Sequence, residues 1–152
     1  MFENPLTERI AVFLWEIGLP VRSATRQDSW LLPGLTIDRD GIAVDEAAMK
    51  YPGDLLHEAG HLAVCEPARR VTVDRGSFGD AAEEMAAIAW SYAAALHIRI
   101  ELAVVFHPDG YKGGSAAILE NFGEGRFFGV PLLQYYGMTD ATAYPAMRRW
   151  VR

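Results

Sequence analysis

Length, composition and charge restrict the class of protein before any motif is considered. The chain has 152 residues, 51% hydrophobic and 22% charged, which is typical of one globular domain and excludes a disordered or fibrous chain. The formal net charge is −6 and the basic residues are scattered, which argues against nucleic acid as a partner. One cysteine excludes an internal disulfide, and neither a secretion signal nor an apolar stretch of membrane-spanning length is found. We expect a single cytoplasmic domain over residues 1–152 that binds no membrane; its oligomeric state is not indicated.

The first part of the chain predicts one helix and one hairpin. Asn4 and the proline after it form a typical helix start, and apolar residues then recur at helical spacing over residues 6–17. Residues 21–33 show no periodicity. Residues 35–37 and 42–44 alternate on either side of an Asp-Arg-Asp-Gly turn, which predicts a β-hairpin.

The rest of the chain is predicted to be mainly helical. A second helix is expected over residues 54–64, and an alanine-rich third helix runs from Ala81 into the nineties. Residues 98–104 alternate like a strand but follow directly on helical sequence, and both interpretations stay open. Shorter helices are predicted after Ser115, over residues 130–136 and after Pro145. The chain is therefore expected to be an α+β protein.

The second predicted helix contains His57-Glu58-Ala59-Gly60-His61, an H-E-x-x-H pattern. Residues four apart lie on one face of a helix, about 6 Å apart along its axis, so two imidazoles can bind one tetrahedral zinc ion. Glu58 points slightly aside, where its carboxylate can take a proton from a water molecule at the fourth position. The pattern therefore predicts hydrolysis as well as metal binding. The alternative is a metal-free buried helix whose histidines form hydrogen bonds in the core.

Several residues can be set aside as the third ligand. Cys65 lies eight residues, or about 12 Å of helix, from His57, which is too far for one ion. The metzincin pattern needs a histidine where this chain has Pro67. His97 and His107 have no partner motif, although His107 precedes a Pro-Asp-Gly turn and could lie at the edge of a cleft.

Two adjacent glutamates at the start of the third helix are the better candidates. Asp80 followed three residues later by Glu83 is a variant of the capping box, in which Glu83 would reach back to the backbone. Glu84 would then be the free carboxylate in the first turn. We predict Glu84 as the third ligand, while acidic residues also favour helix starts without binding anything.

These residues together resemble a known family. The segment Gly53-Asp54-Leu55-Leu56-His57-Glu58-Ala59-Gly60-His61, with a glutamate on a later helix, is similar to gluzincin-type zinc metallopeptidases, especially the small ImmA/IrrE-like and minigluzincin members. Gly41-Ile42-Ala43-Val44 matches the strand that precedes the motif in those families, and small apolar residues follow Glu84. The asparagine of the ImmA/IrrE version is absent. The resemblance covers about residues 35–98.

The resemblance implies a small zincin-like domain whose H-E-x-x-H helix packs beside a short antiparallel sheet, with further helices. His57, His61 and Glu84 would hold Zn²⁺, and Glu58 would be the catalytic general base. The substrate would be a protein or peptide, paired as an extended strand with the edge of the hairpin.

The residues leave the function partly open. An oxyanion formed during hydrolysis needs an electrophilic donor, for which four residues qualify by chemistry alone: His107, Tyr111, Tyr135 and Tyr136. A metallopeptidase is the function we predict. A non-catalytic zincin-fold domain that binds or regulates a partner is the alternative, although such a domain has no need of Glu58.

Overall fold

The arrangement of helices and strands was obtained from a computed structural model, which describes residues 1–25, 32–72 and 79–152. Within these ranges the chain is α+β, with seven helices and a three-stranded mixed sheet. The helices are α1 (Pro5–Glu16), α2 (Gly53–Val64), α3 (Pro67–Arg70), α4 (Ala81–His97), α5 (Leu102–Val105), α6 (Ser115–Gly123) and α7 (Val130–Tyr135). The strands are β1 (Val21–Ser23), β2 (Leu35–Asp38) and β3 (Gly41–Val44). None of the helices in the described ranges combines the length and apolar character that crossing a membrane requires.

Helix α1 begins as its sequence predicts. The Asn4 side chain accepts hydrogen bonds from the backbone N–H groups of Leu6 and Thr7, at 2.9 and 3.4 Å, and a proline occupies the first helical position. These bonds satisfy donors that have no partner inside the helix. The buried face of α1 includes Ile10 and Leu14 and packs into the core.

The sheet differs in one respect from the expected antiparallel one. Strands β2 and β3 form the predicted hairpin, with Ile37 opposite Ile42. Strand β1 adds to the other side of β3 in parallel, giving the order β1-β3-β2 and a mixed sheet. This strand lies in residues 21–33, where no regular element was predicted, and three residues are too few to show a period. Residues 26–31 of that segment lie outside the described residues.

Helices α2 and α4 pack directly against each other and carry the candidate site. Nine of the twelve α2 residues are buried, so this helix runs through the core. Gly53 lets the start of α2 approach α5, since a Cβ atom there would lie 1.9 Å from the carbonyl oxygen of Val104. The largest fully buried side chains include Trp90 on α4, together with Phe106 and Phe122.

The last third confirms two predicted helices and corrects two other points. Helices α6 and α7 form where they were predicted. Residues 98–104 form neither a strand nor a continuation of α4, because α4 ends at His97 and α5 begins at Leu102. The helix predicted after Pro145 is absent from the described residues, which form turns and bends there. The Trp150 carbonyl instead accepts a hydrogen bond of 2.8 Å from the Trp90 indole.

Candidate metal centre

Helix α2 carries both histidines of the H-E-x-x-H pattern on one face. The Nε2 atoms of His57 and His61 lie 3.3 Å apart, and their rings are inclined at 67°. Their side chains are only 19% and 9% exposed. Two ring nitrogens that face each other across one helical turn can share a proton or bind one ion between them. The four-residue separation of the two histidines on one helix is sufficient to bring their rings together.

Glu84 reaches the same point from α4. Its Oε2 atom lies 3.0 Å from His61 Nε2, and the ligand atoms of His57, His61 and Glu84 all lie within 4.8 Å of one another. Gly60 allows the helices to approach, because a Cβ atom there would lie 3.0 Å from the carbonyl oxygen of Ala87. The three side chains therefore form a group that could hold a metal ion.

The spacing of this group fits a tetrahedral ion. In a zinc site, bonds of about 2.0 to 2.1 Å place two nitrogen ligands about 3.3 Å apart. The Nε2 atoms of His57 and His61 have this separation. Three protein ligands leave a fourth position for another group, as in catalytic sites. His57 and Glu84 also line a cleft of about 810 Å³, so a small molecule can reach the group.

The surroundings set the protonation of the three side chains. Burial, reinforced by His61, lowers the pKa of His57 to about 4, so this imidazole is neutral at pH 7. A hydrogen bond with His61 lowers the pKa of Glu84 and keeps it ionised. Burial opposes protonation of His61, but its hydrogen bond with Glu84 and the charge of Glu58 outweigh burial and raise its pKa. A metal ion would compete with this proton.

Glu58 is buried beside the histidines and does not belong to the ligand group. Its side chain is 7% exposed, and its Oε1 atom lies 3.7 Å from His57 Nε2. Burial raises the pKa of Glu58 to about 7, against the charge of His61 and with support from Asp54 and Glu84. A carboxyl group with a pKa near neutrality can both accept and return a proton at pH 7.

Glu83 lies away from this group, with a different partner from the one predicted. Its carboxylate accepts hydrogen bonds of 2.8 and 2.6 Å from the Arg69 guanidinium, rather than serving as the backbone-capping half of a capping box. The Asp80 half of the cap is present, because its side chain accepts from the N–H groups of Ala82 and Glu83. Arg69 lies 14 residues upstream, and no local pattern links it to α4.

The opposite wall of the cleft is formed by the segment after α5. His107 Nε2 lies 2.7 Å from Asp54 Oδ1, and the His107 ring stacks on Tyr51 with centroids 3.8 Å apart. Tyr111 packs edge-on against His57 at 4.5 Å. Tyr111 begins a turn in which three successive residues have left-handed φ angles of 53°, 54° and 83°. This backbone is costly outside glycine and holds Tyr111 over the site.

The structure separates the four candidate oxyanion donors. His107 and Tyr111 line the cleft. Tyr135 is 83% exposed, and the Tyr136 ring lies under the Arg152 guanidinium at 3.9 Å; neither lines the cleft. Burial raises the pKa of Tyr111 well above its usual range, so its hydroxyl group stays protonated and remains a hydrogen-bond donor. The choice is thus reduced to His107 and Tyr111.

Sequence reasoning missed the two cleft residues whose side chains contact the His107 ring, Asp54 and Tyr51. Asp54 lies three residues before His57 and four before Glu58, so helical spacing could have placed it on the same face. Tyr51 carried no such signal. Its contact with His107 joins residues 56 positions apart, and only the tertiary fold brings them together.

Comparison with known proteins gives no match to any protein-family model, curated protein or solved structure. The site is therefore described by its own side chains: two imidazoles, one carboxylate and a buried carboxyl group at the wall of a cleft. The resemblance to the gluzincins and the identity of the metal stay predictions.

Proposed function

We propose that this protein is a zinc-dependent metallopeptidase with a small zincin-like, gluzincin-type domain, which hydrolyses peptide bonds in a protein or peptide substrate. One observation carries the proposal. The ligand atoms of His57, His61 and Glu84 lie within 4.8 Å of one another, with the Glu58 carboxyl group beside them. A structural metal site needs no such carboxyl group.

The donor set suits zinc better than the common hard cations. Two imidazoles and one carboxylate are typical of catalytic zinc, whereas Mg²⁺ and Ca²⁺ prefer oxygen ligands alone. His57, His61 and Glu84 would hold the ion. A bound zinc ion would act as a Lewis acid that polarises a carbonyl group and lowers the pKa of a water molecule.

The remaining steps fall to the side chains around the ligands. Glu58 accepts a proton from the attacking water at its carboxylate and returns it to the leaving amine. Of the two cleft-lining candidates, His107 already directs its Nε2 at Asp54 Oδ1, so the Tyr111 hydroxyl group is the donor that we assign to an oxyanion. Strand β2 is an edge strand of the described sheet, and Leu32 and Pro33 just before it line the cleft. An extended substrate would run along this side.

The burial of Glu58 favours catalysis over a purely binding role. Removing a carboxyl group from water is costly unless hydrogen bonds replace the water. The His57 Nε2 atom lies 3.7 Å from this carboxyl group, which is longer than a hydrogen bond. A domain that only binds a partner gains nothing from keeping such a group. General-base catalysis gives it a purpose.

The test is the substitution Glu58→Gln in zinc-loaded protein. We expect zinc content of about one ion per chain to be unchanged, because Glu58 is not a ligand. Hydrolysis in a peptide-library screen should fall by about 10² to 10⁴, the usual contribution of an acid–base group. Glu120→Gln on the exposed face of α6 is the matched control and should cleave like the wild type.

The outcomes separate the alternatives. Cleavage that survives Glu58→Gln, in protein free of contaminating proteases, overturns the peptidase. Bound zinc without cleavage in wild type and variant favours the non-catalytic binding domain. Absence of zinc after addition of the metal overturns both, and leaves α2 as a structural helix.

A further inference from the structure

The cleft extends along α2 beyond the metal ligands to a further carboxylate. Asp54 lies about one helical turn before the motif. His57 follows it by three residues and Glu58 by four, so the three side chains share one face of α2. Cβ atoms at this spacing are about 5 to 6 Å apart. Asp54 lines the same cleft as Glu58, and its charge is felt by that carboxyl group. Asp54 is therefore beside the place where a bond would be cleaved.

Asp54 is held rigidly through one of its two oxygens. Oδ1 lies 2.7 Å from Nε2 of His107, a residue only 6% exposed and stacked on Tyr51. His107 Nδ1 is buried and has no hydrogen-bond partner in the part of the chain that the structure describes. A buried N–H without an acceptor is costly, so the geometry favours the tautomer with its proton on Nε2. Nε2 then donates this hydrogen bond to Asp54 Oδ1.

The second oxygen of Asp54 is available to a ligand. No hydrogen bond to Oδ2 occurs within residues 1–25, 32–72 and 79–152, and the Asp54 side chain is 16% exposed at the cleft. Lys50 does not neutralise it, because its Nζ atom pairs with Asp109 at 3.4 Å. A fixed carboxylate with one oxygen open to the cleft suits a cationic donor, because charge-assisted hydrogen bonds are the strong ones.

We propose that Asp54 is a specificity-determining residue that binds a primary ammonium group of the substrate next to the cleaved bond. This inference rests on the proposed peptidase function and names its substrate class. The ammonium group has two sources, the free amino terminus of a peptide or a lysine side chain. The first would make the protein an aminopeptidase, and the second would make it an endopeptidase that selects lysine.

The experiment uses hydroxamates, which chelate zinc and are not cleaved. Zinc content of the full chain is measured first, and binding is then measured by calorimetry. The probes are leucine hydroxamate with a free α-ammonium, its N-acetyl form without a charge, and Nα-acetyl-lysine hydroxamate with only an ε-ammonium. We expect one of the two cationic probes to bind about tenfold tighter than N-acetyl-leucine hydroxamate, since charge-assisted hydrogen bonds are the strong ones.

Two carboxylate-to-amide variants locate the effect. In Asp54→Asn, which can still accept a hydrogen bond from His107, the tenfold preference should fall to about one. In Glu120→Gln, the carboxylate-to-amide control on the exposed face of α6, it should persist. Thermal unfolding verifies that both variants are folded.

Three results overturn the inference. The first is equal binding of all three probes to the wild type. This result contradicts the proposed ammonium preference without any need for the Asp54→Asn variant to fold. Another is a preference that survives Asp54→Asn, and the third is failure of every probe to bind zinc-loaded protein. None of these three results contradicts the candidate zinc site. Protein that takes up no zinc overturns the proposed function, so the two failures are distinguishable.

Discussion

At the scale of single residues, two adjacent glutamates on α4 have different roles because a helix turns by about 100° per residue. Glu83 points towards Arg69 and its side chain is 11% exposed. Glu84 points towards His61 and is 43% exposed, at the cleft. Chemically identical side chains are thereby divided between an ion pair and a group that could hold a metal ion.

The matched substitutions Glu84→Gln and Glu83→Gln test this division. Glu84→Gln should lower zinc affinity by more than about 100-fold, because loss of a ligand should exceed the 10- to 100-fold cost of outer-shell changes. Glu83→Gln should leave zinc affinity nearly unchanged and lower the free energy of unfolding by about 1 kcal/mol, through its part-exposed pair with Arg69. Competition with a fluorescent chelator measures the first quantity, and denaturant titration the second.

The reverse pattern of affinities would assign the metal to Glu83. Equal, small effects of both substitutions would exclude α4 from the site altogether. The same zinc titrations reveal either result. The two variants are directly comparable, because each replaces one carboxylate by an amide and the two positions are adjacent.

The site shows what spacing alone can predict. The facing of His57 and His61 follows from a local rule of helix geometry, and the structure groups Glu84 with them. The Asp80 half of the expected capping box is confirmed, but Glu83 pairs with Arg69 instead of reaching back to the backbone. Local rules cannot find a partner on another helix. The His107 contacts were out of reach for the same reason.

At the scale of elements, glycines determine how closely the helices approach α2. Gly53 faces the backbone of α5, where an added Cβ atom would lie 1.9 Å from the Val104 carbonyl oxygen. Gly60 faces α4 less tightly, at 3.0 Å from Ala87. Gly53 lies one residue before Asp54, so this contact also fixes the start of the helix that carries the site.

Gly53→Ala should destabilise the protein. Overpacking costs about 1 to 3 kcal/mol, and the clash is with backbone, which cannot rotate away. The gain of about 1 kcal/mol in helix propensity offsets only part of this. Gly123→Ala at the end of α6 is the control: a Cβ atom there meets nothing within 4 Å, so stability should rise by up to about 1 kcal/mol. Urea unfolding compares the two; a Gly53→Ala protein as stable as Gly123→Ala contradicts the close approach.

The elements that sequence predicted are those with a long or strongly marked period. Helix α1 has a cap and three turns of apolar spacing, and the β2–β3 hairpin has a marked turn. Strand β1 has only three residues, and its partners in β3 lie 21 positions further along the chain, so its pairing is set by the tertiary fold and not by its own sequence pattern. The helix predicted after Pro145 was wrong: the one aromatic residue there, Trp150, packs against Trp90 and His97 of α4 and against Phe13 of α1.

At the scale of the whole molecule, the candidate metal centre lies between α2 and α4, two helices that the C-terminal segment also connects. Helices α2 and α4 meet at His61 and Glu84. The C-terminal segment closes over the same pair, because Arg152 N–H donates to the Ala63 carbonyl at 2.9 Å and the Trp90 indole donates to the Trp150 carbonyl. An ion held between α2 and α4 would therefore stabilise the global fold as well as a local site.

Zinc should raise the stability of the whole protein by mass action. At a free zinc concentration 100 times Kd, a ligand that binds only the folded state adds about 2.7 kcal/mol, or roughly 5 to 11 °C in Tm for a domain of this size. Calorimetry with buffered zinc measures the shift, and a chelator should reverse it. Mg²⁺ at the same concentration should have no effect, because imidazole ligands do not suit it.

Asp109→Asn should respond like the wild type, whereas His57→Ala and His61→Ala should lose most of the shift, since each removes one ligand. A zinc-dependent rise in Tm of equal size in both histidine variants would mean that the ion binds elsewhere, and the candidate metal centre would be wrong even though the protein binds zinc.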